Sequence, residues 1–187
     1  MFSLPTLEAR LRERIAETPD LMDGRRRAAV AIVLHDTRVL LMKRAIRAGD
    51  PWSGHISLPG GGFHVEDETL LRAAMRETHE ELGVDLVGAK FLGQSPPLAP
   101  MMSGPLGIEV TPFVWVVDRE PPLVLNHEAA GTFWLPLERT VAGAFDGEFD
   151  FVHEERRMKL PSWTYEGHVI WGLTWRILSD VLALATE

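Results

Sequence analysis

Apolar residues recur along this chain at three kinds of spacing, and each spacing predicts a different element. Over residues 6–17, Leu7, Leu11 and Ile15 fall at four-residue steps with charged residues between them. Thr6 is a candidate N-cap and Pro19 lies beyond the end, so this stretch reads as an amphipathic helix. Two continuous apolar runs, Ala28–Leu34 and Val39–Met42, flank His35-Asp36-Thr37-Arg38 and read as a hairpin of two strands with the polar quartet as its turn. Residues 45–62 are rich in Gly, Pro and Ser and predict a loop leading to Gly60-Gly61-Gly62. A helix is expected over 69–82, then a turn and strand over 83–95. The stretch Pro96 to Gly107 reads only as a loop, because its prolines and glycines remove donors and helix-compatible geometry. Strands are expected at Val110–Val117, Leu123–Leu125 and Thr132–Leu135, with a turn around Asp118–Pro122. A closing helix over 167–184 carries Trp171, Trp175, Leu178 and Leu182 at three- and four-residue steps. There is no internal repeat. Strands mixed with helices predict a layered α/β or α+β domain.

The chain has 187 residues, a length that suits one domain with an appended N-terminal helix, residues 1–26, before the main body at 27–187. With 45% hydrophobic and 25% charged residues it has the composition of a folded globular protein. Acidic residues outnumber basic ones 27 to 19, for a formal charge of −8, so no global positive field exists to hold a polyanion and nucleic acid is disfavoured. A small phosphorylated ligand remains open, because a local basic cluster or a divalent cation reverses the field at one site. The absence of cysteine removes disulfides, thiolate nucleophiles and thiolate metal sites. The charged N-terminus and the Arg176 and Asp180 interruptions of the C-terminal apolar run argue against a leader and a membrane span. A cytoplasmic location is the expectation.

Candidate chemistry concentrates in GFHVEDETLLRAAMRETHEELGV, residues 62–84. On a helix over 69–82, Leu71, Met75, Thr78 and Leu82 form one stripe expected to face the core. Glu77, Glu80 and Glu81 share a separate arc, where i+3 and i+4 neighbours repel one another. No lysine or arginine lies between them, so a cation is expected to offset the repulsion. Mg²⁺ binds in this way, through one or two carboxylates together with substrate phosphates. Arg76, four residues before Glu80, is placed to orient it. A solvated acidic face is the alternative reading of three glutamates on a helix. The adjoining glycines change that balance, because exposed backbone N–H groups at a helix start favour anions such as phosphate.

The spacing Gly62-x5-Glu68-x7-Arg76-Glu77-Thr78-x-Glu80-Glu81-x-Gly83-Val84 resembles the signature of the Nudix hydrolases. Its one departure is Thr78, where the pattern prefers a bulky aliphatic residue. The resemblance implies an α/β/α sandwich around a mixed β-sheet, and Mg²⁺- or Mn²⁺-dependent hydrolysis of a nucleoside diphosphate linked to another group. It implies Glu77 and Glu81 as principal metal ligands, Glu80 completing the set and Glu68 as an auxiliary carboxylate. The backbone of Gly61 or Gly62 would contribute a carbonyl. Phosphoanhydride cleavage needs neutralised oxygens and a water in line, which metal ions supply. The general base is open between Glu81 and Glu128; Glu128 also reads as a plain loop carboxylate.

Upstream, LLMKRAIRAGDPWSGHISLPGG resembles in part the extra motif of the coenzyme A diphosphatase subgroup. Leu40, Leu41, Arg44, Ala45, Gly54, Pro59, Gly60 and Gly61 fit. Leu58 stands where that motif has Phe, Gly49 stands where it has a second Arg, and the spacing to Gly54 is one residue longer. Arg47 is a candidate substitute for the missing cation. With Val110-Thr111-Pro112-Phe113-Val114 and the terminal IWGLTWRIL, the resemblance covers about residues 28–183 and implies coenzyme A or its acyl derivatives as substrate. Alternatives are ADP-ribose, nucleotide sugars or nucleoside triphosphates, and, from another class, a silent Nudix-like ligand sensor. Arg44 is the first-choice phosphate contact, with Gly60, Gly61 and Gly62. Trp163, Tyr165 and Trp171 read either as stacking partners for adenine or as core. His55, His64 and His79 lie near the site in sequence and read as structural. The terminal apolar helix is compatible with a homodimer.

Overall fold

A computed structural model describes residues 1–12, 24–50, 52–101, 107–153 and 156–186. Its elements are α1 (Leu4–Arg12), β1 (Arg26–His35), β2 (Arg38–Arg44), β3 (Ile56–Ser57), β4 (Gly60–Gly62), a 3₁₀ turn at Val65–Asp67, α2 (Leu70–Leu82), β5 (Lys90–Gln94), β6 (Ile108–Val116), β7 (Ala129–Pro136), α3 (Leu137–Val141), β8 (Asp146–His153), β9 (Arg156–Tyr165), β10 (His168–Trp171) and α4 (Gly172–Ala185).

Seven strands form one mixed sheet. β1 lies parallel to β6 over nine residue pairs, while its pairings with β2 and β4 are antiparallel. β2 pairs antiparallel with both β3 and β7. After the Asp36-Thr37 turn β1 and β2 touch only at Leu34–Val39 and His35–Arg38, and the short strands β3 and β4 occupy the gap between them.

Side chains on a strand alternate between faces, and here both faces are covered. Ala28, Ile32 and Leu34 of β1, Val39 and Leu41 of β2, and Val110 and Val114 of β6 pack with Leu7 and Leu11 of α1 and Ile177, Leu178, Val181 and Leu182 of α4. On the other face Ala29, Ala31 and Val33, Leu40 and Met42, and Phe113 and Trp115 pack with Leu70, Ala73, Ala74 and Leu82 of α2. Burial on both sides is why these strands read as continuous apolar runs instead of alternating ones. The layers are helix, mixed sheet, helix, as the family resemblance implies.

Several expectations change. α1 starts before Thr6: the Ser3 hydroxyl accepts from the Thr6 N–H, so the cap lies three residues earlier, and the expected continuation over 13–17 falls outside the described residues. The triple glycine is a strand against β1, not the end of a loop. Residues 123–125 form no strand, because Val124 donates its N–H to the Leu82 carbonyl at the end of α2. The final helix begins at Gly172; residues 168–171 belong to β10, in a three-stranded antiparallel sheet β10-β9-β8 that the sequence reading did not anticipate. In the loop 96–107, Leu98 makes a two-bond bridge to Val110, and 102–106 lie outside the described residues.

Trp163 is core, and Trp171 stacks on Phe149 with ring centroids 4.0 Å apart. The apolar side of α4, with Ile177, Leu178, Val181 and Leu182, packs into the chain's own core. Among the described residues, no helix is long and apolar enough to cross a membrane.

Candidate active site

The site forms where α2 lies on β4. Thr69 caps α2, its hydroxyl accepting from the Arg72 N–H, and Gly83 ends it in the left-handed conformation with its N–H on the His79 carbonyl. The buried face of the helix is Leu70, Ala73, Ala74, Thr78, Glu81 and Leu82; Leu71 and Met75, expected in the central stripe, lie at its margin. Thr78 is fully buried. Its hydroxyl donates to the Ala74 carbonyl at 2.7 Å, so a buried polar atom has a partner where the signature prefers an aliphatic side chain.

The carboxylates expected to act together separate into two environments. Glu81 is 2% exposed and accepts the Gly60 N–H at 2.9 Å. Burial, reinforced by the nearby Glu77 and Glu128 charges, pushes its carboxyl up to about 7, while the Gly60 N–H and Arg44 pull the other way. Glu77, with a side chain 12% exposed, is also raised by burial despite its Arg76 partner. Glu80 and Glu68, in contrast, are 53% and 67% exposed. Glu68 pairs with Arg72 one helical turn away, which directs it toward solvent in the structure.

Two glycines make this contact possible. At Gly60 the backbone has φ +146°, and an added Cβ would lie 2.3 Å from the Ala29 carbonyl oxygen. At Gly61 a Cβ would sit 2.5 Å from the Glu77 carboxyl carbon. The sheet backbone is thus pressed directly against the two buried carboxylates. Gly62 stands beside them with its carbonyl accepting from Arg76 Nη2 at 3.0 Å.

Arg76 does what its spacing suggested and more. It reaches Glu77 at 2.9 Å and Glu80 at 3.2 Å, so part of the offset expected from an external cation comes from within the helix. Its own anchor is Asp67, a residue the sequence reading missed. Asp67 takes Arg76 Nε at 2.7 Å and Nη2 at 3.0 Å in a fork, and also accepts the His64 N–H at 2.8 Å. The guanidinium holds Asp67 below the usual carboxylate range and Asp67 in turn raises Arg76. Among the described residues, no such cation contacts Glu81.

Arg44 ends β2 at a bulge between Lys43 and Arg44, a device that re-aims a side chain. Its Nη2 is 2.7 Å from Asp50, and its charge is felt by Glu81. Glu128 is also brought to the site. Asn126 donates its N–H to the Glu81 carbonyl, the Glu128 N–H bonds the Asn126 side chain, and the Glu128 carboxylate is close enough to raise both Glu77 and Glu81. It is paired with Arg47 at 3.0 Å. His55 lies beside the Arg44–Asp50 pair and is lowered by burial.

Two buried carboxylates held against backbone, one with no cation in contact, form a set that a hard divalent ion would complete. Among the described residues no three His, Asp or Glu side chains form a closed cage. Mg²⁺ needs no such cage, since it binds through one or two carboxylates and leaves its other positions to water and phosphate.

Residues 24–154 match the family model described as NUDIX domain, which spans most of the chain. The chain belongs to the Nudix family. It is 35% identical over 159 residues to a Yersinia pestis protein named Uncharacterized Nudix hydrolase NudL, covering 82% of this chain and 76% of that one. Among solved structures it resembles a MutT/nudix family protein from Enterococcus faecalis, with TM-score 0.56 and 17% identity over 95% of this chain and 68% of the other. It also resembles a bifunctional NMN adenylyltransferase/ADP ribose pyrophosphatase from Francisella tularensis, complexed with AMP and a Mn ion. That match has TM-score 0.51 and 20% identity over 73% of this chain and 39% of the other. At these identities the two structures speak for the fold, and the Nudix α/β sandwich expected from the signature is the fold observed. The chain is therefore a Nudix hydrolase, an enzyme acting on nucleoside diphosphate derivatives.

Proposed function

We propose that this Nudix hydrolase cleaves the diphosphate bond of coenzyme A or its acyl derivatives, releasing 3′,5′-ADP and phosphopantetheine or acyl phosphopantetheine. One observation carries the reading. The segment that resembles the coenzyme A diphosphatase motif, residues 40–61, joins the glycines to Arg44 at the end of β2 and to Arg47 in the loop that follows, and both arginines pair with carboxylates at the site's border. Two guanidiniums beside two buried carboxylates suit a diphosphate that bears a further phosphate.

Glu77 and Glu81 would hold Mg²⁺ or Mn²⁺, with Glu80 next in reach and Glu68 auxiliary. Such an ion supplies charge neutralisation on the phosphoanhydride oxygens and a more acidic bound water. Arg76 positions Glu77 and Glu80. The Gly60 N–H fixes Glu81 so that its carboxylate needs no rearrangement to act. Arg44 holds a phosphate oxygen, oriented by Asp50. Glu128, or Glu81 itself, accepts the proton of the attacking water.

The readings with ADP-ribose, nucleotide sugars or nucleoside triphosphates use the same carboxylates and differ only in what the arginine loop meets. The test is a panel of coenzyme A, ADP-ribose, a nucleotide sugar and a nucleoside triphosphate with Mg²⁺ or Mn²⁺, with products identified by mass. Preferred formation of 3′,5′-ADP and phosphopantetheine supports the proposal; preferred formation of AMP and ribose phosphate overturns it.

A further inference from the structure

The loop between β2 and β3 is fixed at its base and along its backbone. Arg44 donates its N–H to the His55 carbonyl and Ala45 to the Glu128 carbonyl. The Ser53 hydroxyl accepts the Arg47 N–H at 2.6 Å and donates to the Arg47 carbonyl at 3.0 Å. Asp50 accepts from both Arg44 and the Trp52 N–H.

The Arg47 main chain is therefore pinned while its side chain, 40% exposed, pairs with Glu128 at 3.0 Å. Its loop neighbour Arg44 differs, because Asp50 holds its guanidinium at 2.7 Å and is itself tied into the loop. A half-exposed ion pair is weakly held, and a phosphate offers a guanidinium a better, bidentate partner. Glu128 in turn faces the buried Glu77 and Glu81, whose ionisation its charge disfavours.

We propose that Arg47 is a specificity-determining residue that exchanges partners: its guanidinium leaves Glu128 for a substrate phosphate, and its departure frees the Glu128 carboxylate beside Glu77 and Glu81. The exchange couples recognition of an anionic substrate to release of a carboxylate at the border of the site. It rests on the reading of this site as a diphosphatase centre, but not on coenzyme A as its substrate.

The two partners then act on KM with opposite signs. Glu128→Gln removes the competitor for Arg47 and lowers KM while lowering kcat. Arg47→Gln raises KM by about ten-fold, the loss expected for one charge-assisted hydrogen bond, and by more than it lowers kcat. In the Glu128→Gln background, Arg47→Gln abolishes the gain in KM. Steady-state kinetics of the parent, both single variants and the double variant test this, using whichever compound of the substrate panel is turned over fastest. The assignment of coenzyme A fails in the panel itself, whereas the exchange fails in the KM comparison. Glu128→Gln and Arg47→Gln shifting KM in the same direction, or Arg47→Gln leaving it unchanged, overturns the exchange and leaves a purely structural ion pair. Melting temperatures of all four proteins identify any variant that fails to fold, and the remaining single variant still tests the sign of its own KM shift.

Discussion

The two faces of the central sheet are packed by different rules. On the face covered by α1 and α4 the contacts are made by large side chains, among them Leu7, Leu11, Ile32, Leu34, Leu41, Ile177 and Leu178. On the face covered by α2, alanines on both sides, Ala29 and Ala31 of β1 and Ala73 and Ala74 of the helix, stand among the larger Val33, Leu70 and Leu82. Small residues let α2 lie close on β1 and β4, and the closeness puts Glu81 on the Gly60 N–H and Glu77 against Gly61. One face spends its apolar area on stability. The other gives up some of that area to bury two carboxylates, and burial of an unneutralised charge is destabilising. Catalytic potential and fold stability are thus separated to opposite sides of one sheet.

The largest test of that separation is Glu81→Gln. Loss of a preorganised electrostatic group costs about 10²–10³-fold in rate, and kcat should fall by at least that. Stability should move the other way. The folded-state pKa of Glu81 is raised from 4.5 to about 7, so its stabilising contribution is complete below about pH 4.5 and is lost as pH rises through 7. Above pH 7 the charged form costs the metal-free fold about 3 kcal/mol. In chelator, thermal melts should find Glu81→Gln more stable than the parent at pH 8 and equal to it at pH 4.5. Mg²⁺ should raise the parent's Tm more at pH 8 than at pH 5. A parent more stable than the variant at pH 8 in chelator contradicts the burial argument.

Gly61→Ala comes next. Its Cβ would meet the Glu77 carboxyl at 2.5 Å, and the carboxylate must give way. A displacement of about 1 Å at a reacting centre can cost about 10²-fold, so kcat should drop by that order while the far-ultraviolet circular dichroism stays that of the parent. Retained kcat would mean that Glu77 has room to act elsewhere.

A smaller loss is expected from Asp67→Asn, which breaks the fork that holds Arg76. The predicted fall in kcat/KM is about ten-fold, in line with outer partners of metal-site ligands, with weaker apparent affinity for Mn²⁺. Asp67→Glu should recover part of both. Equal losses in Asn and Glu variants, with unchanged Mn²⁺ affinity, would reduce Asp67 to a structural residue.

How much of this was readable in the chain depended on whether a feature was local. The hairpin of β1 and β2 and helix α2 follow from spacing within a few residues, and the structure has them nearly where the pattern put them; the acidic arc divides instead, with Glu81 on the buried face and Glu80 exposed. Asp67 was invisible because it meets Arg76 through a 3₁₀ turn and a positive-φ residue, Glu68 at +62°, which fold the chain back in a way no periodicity encodes. The sheet of β8, β9 and β10 escaped for a different reason. β8 is exposed or half-exposed along its length, and β9 carries Pro161, so neither shows the apolar run of a central strand. The approach of α2 to the glycine strand was also hidden, since alanines mark close packing only once their partners are known.

The variant with least effect on turnover should be Leu11→Ala. Leu11 is fully buried on the α1 and α4 face, and its backbone rests on Gly93 of β5, where a Cβ would lie 3.1 Å from the Leu11 carbonyl oxygen. Deleting such a side chain costs about 2–5 kcal/mol of stability, including the cavity left behind. Denaturant unfolding should register that loss in full, while kcat and KM below the melting range stay those of the parent, because Leu11 belongs to the cluster on the α1 and α4 face and not to the one under α2. A parallel loss of kcat in folded Leu11→Ala would show that the sheet transmits strain from one face to the other and that the two are not independent.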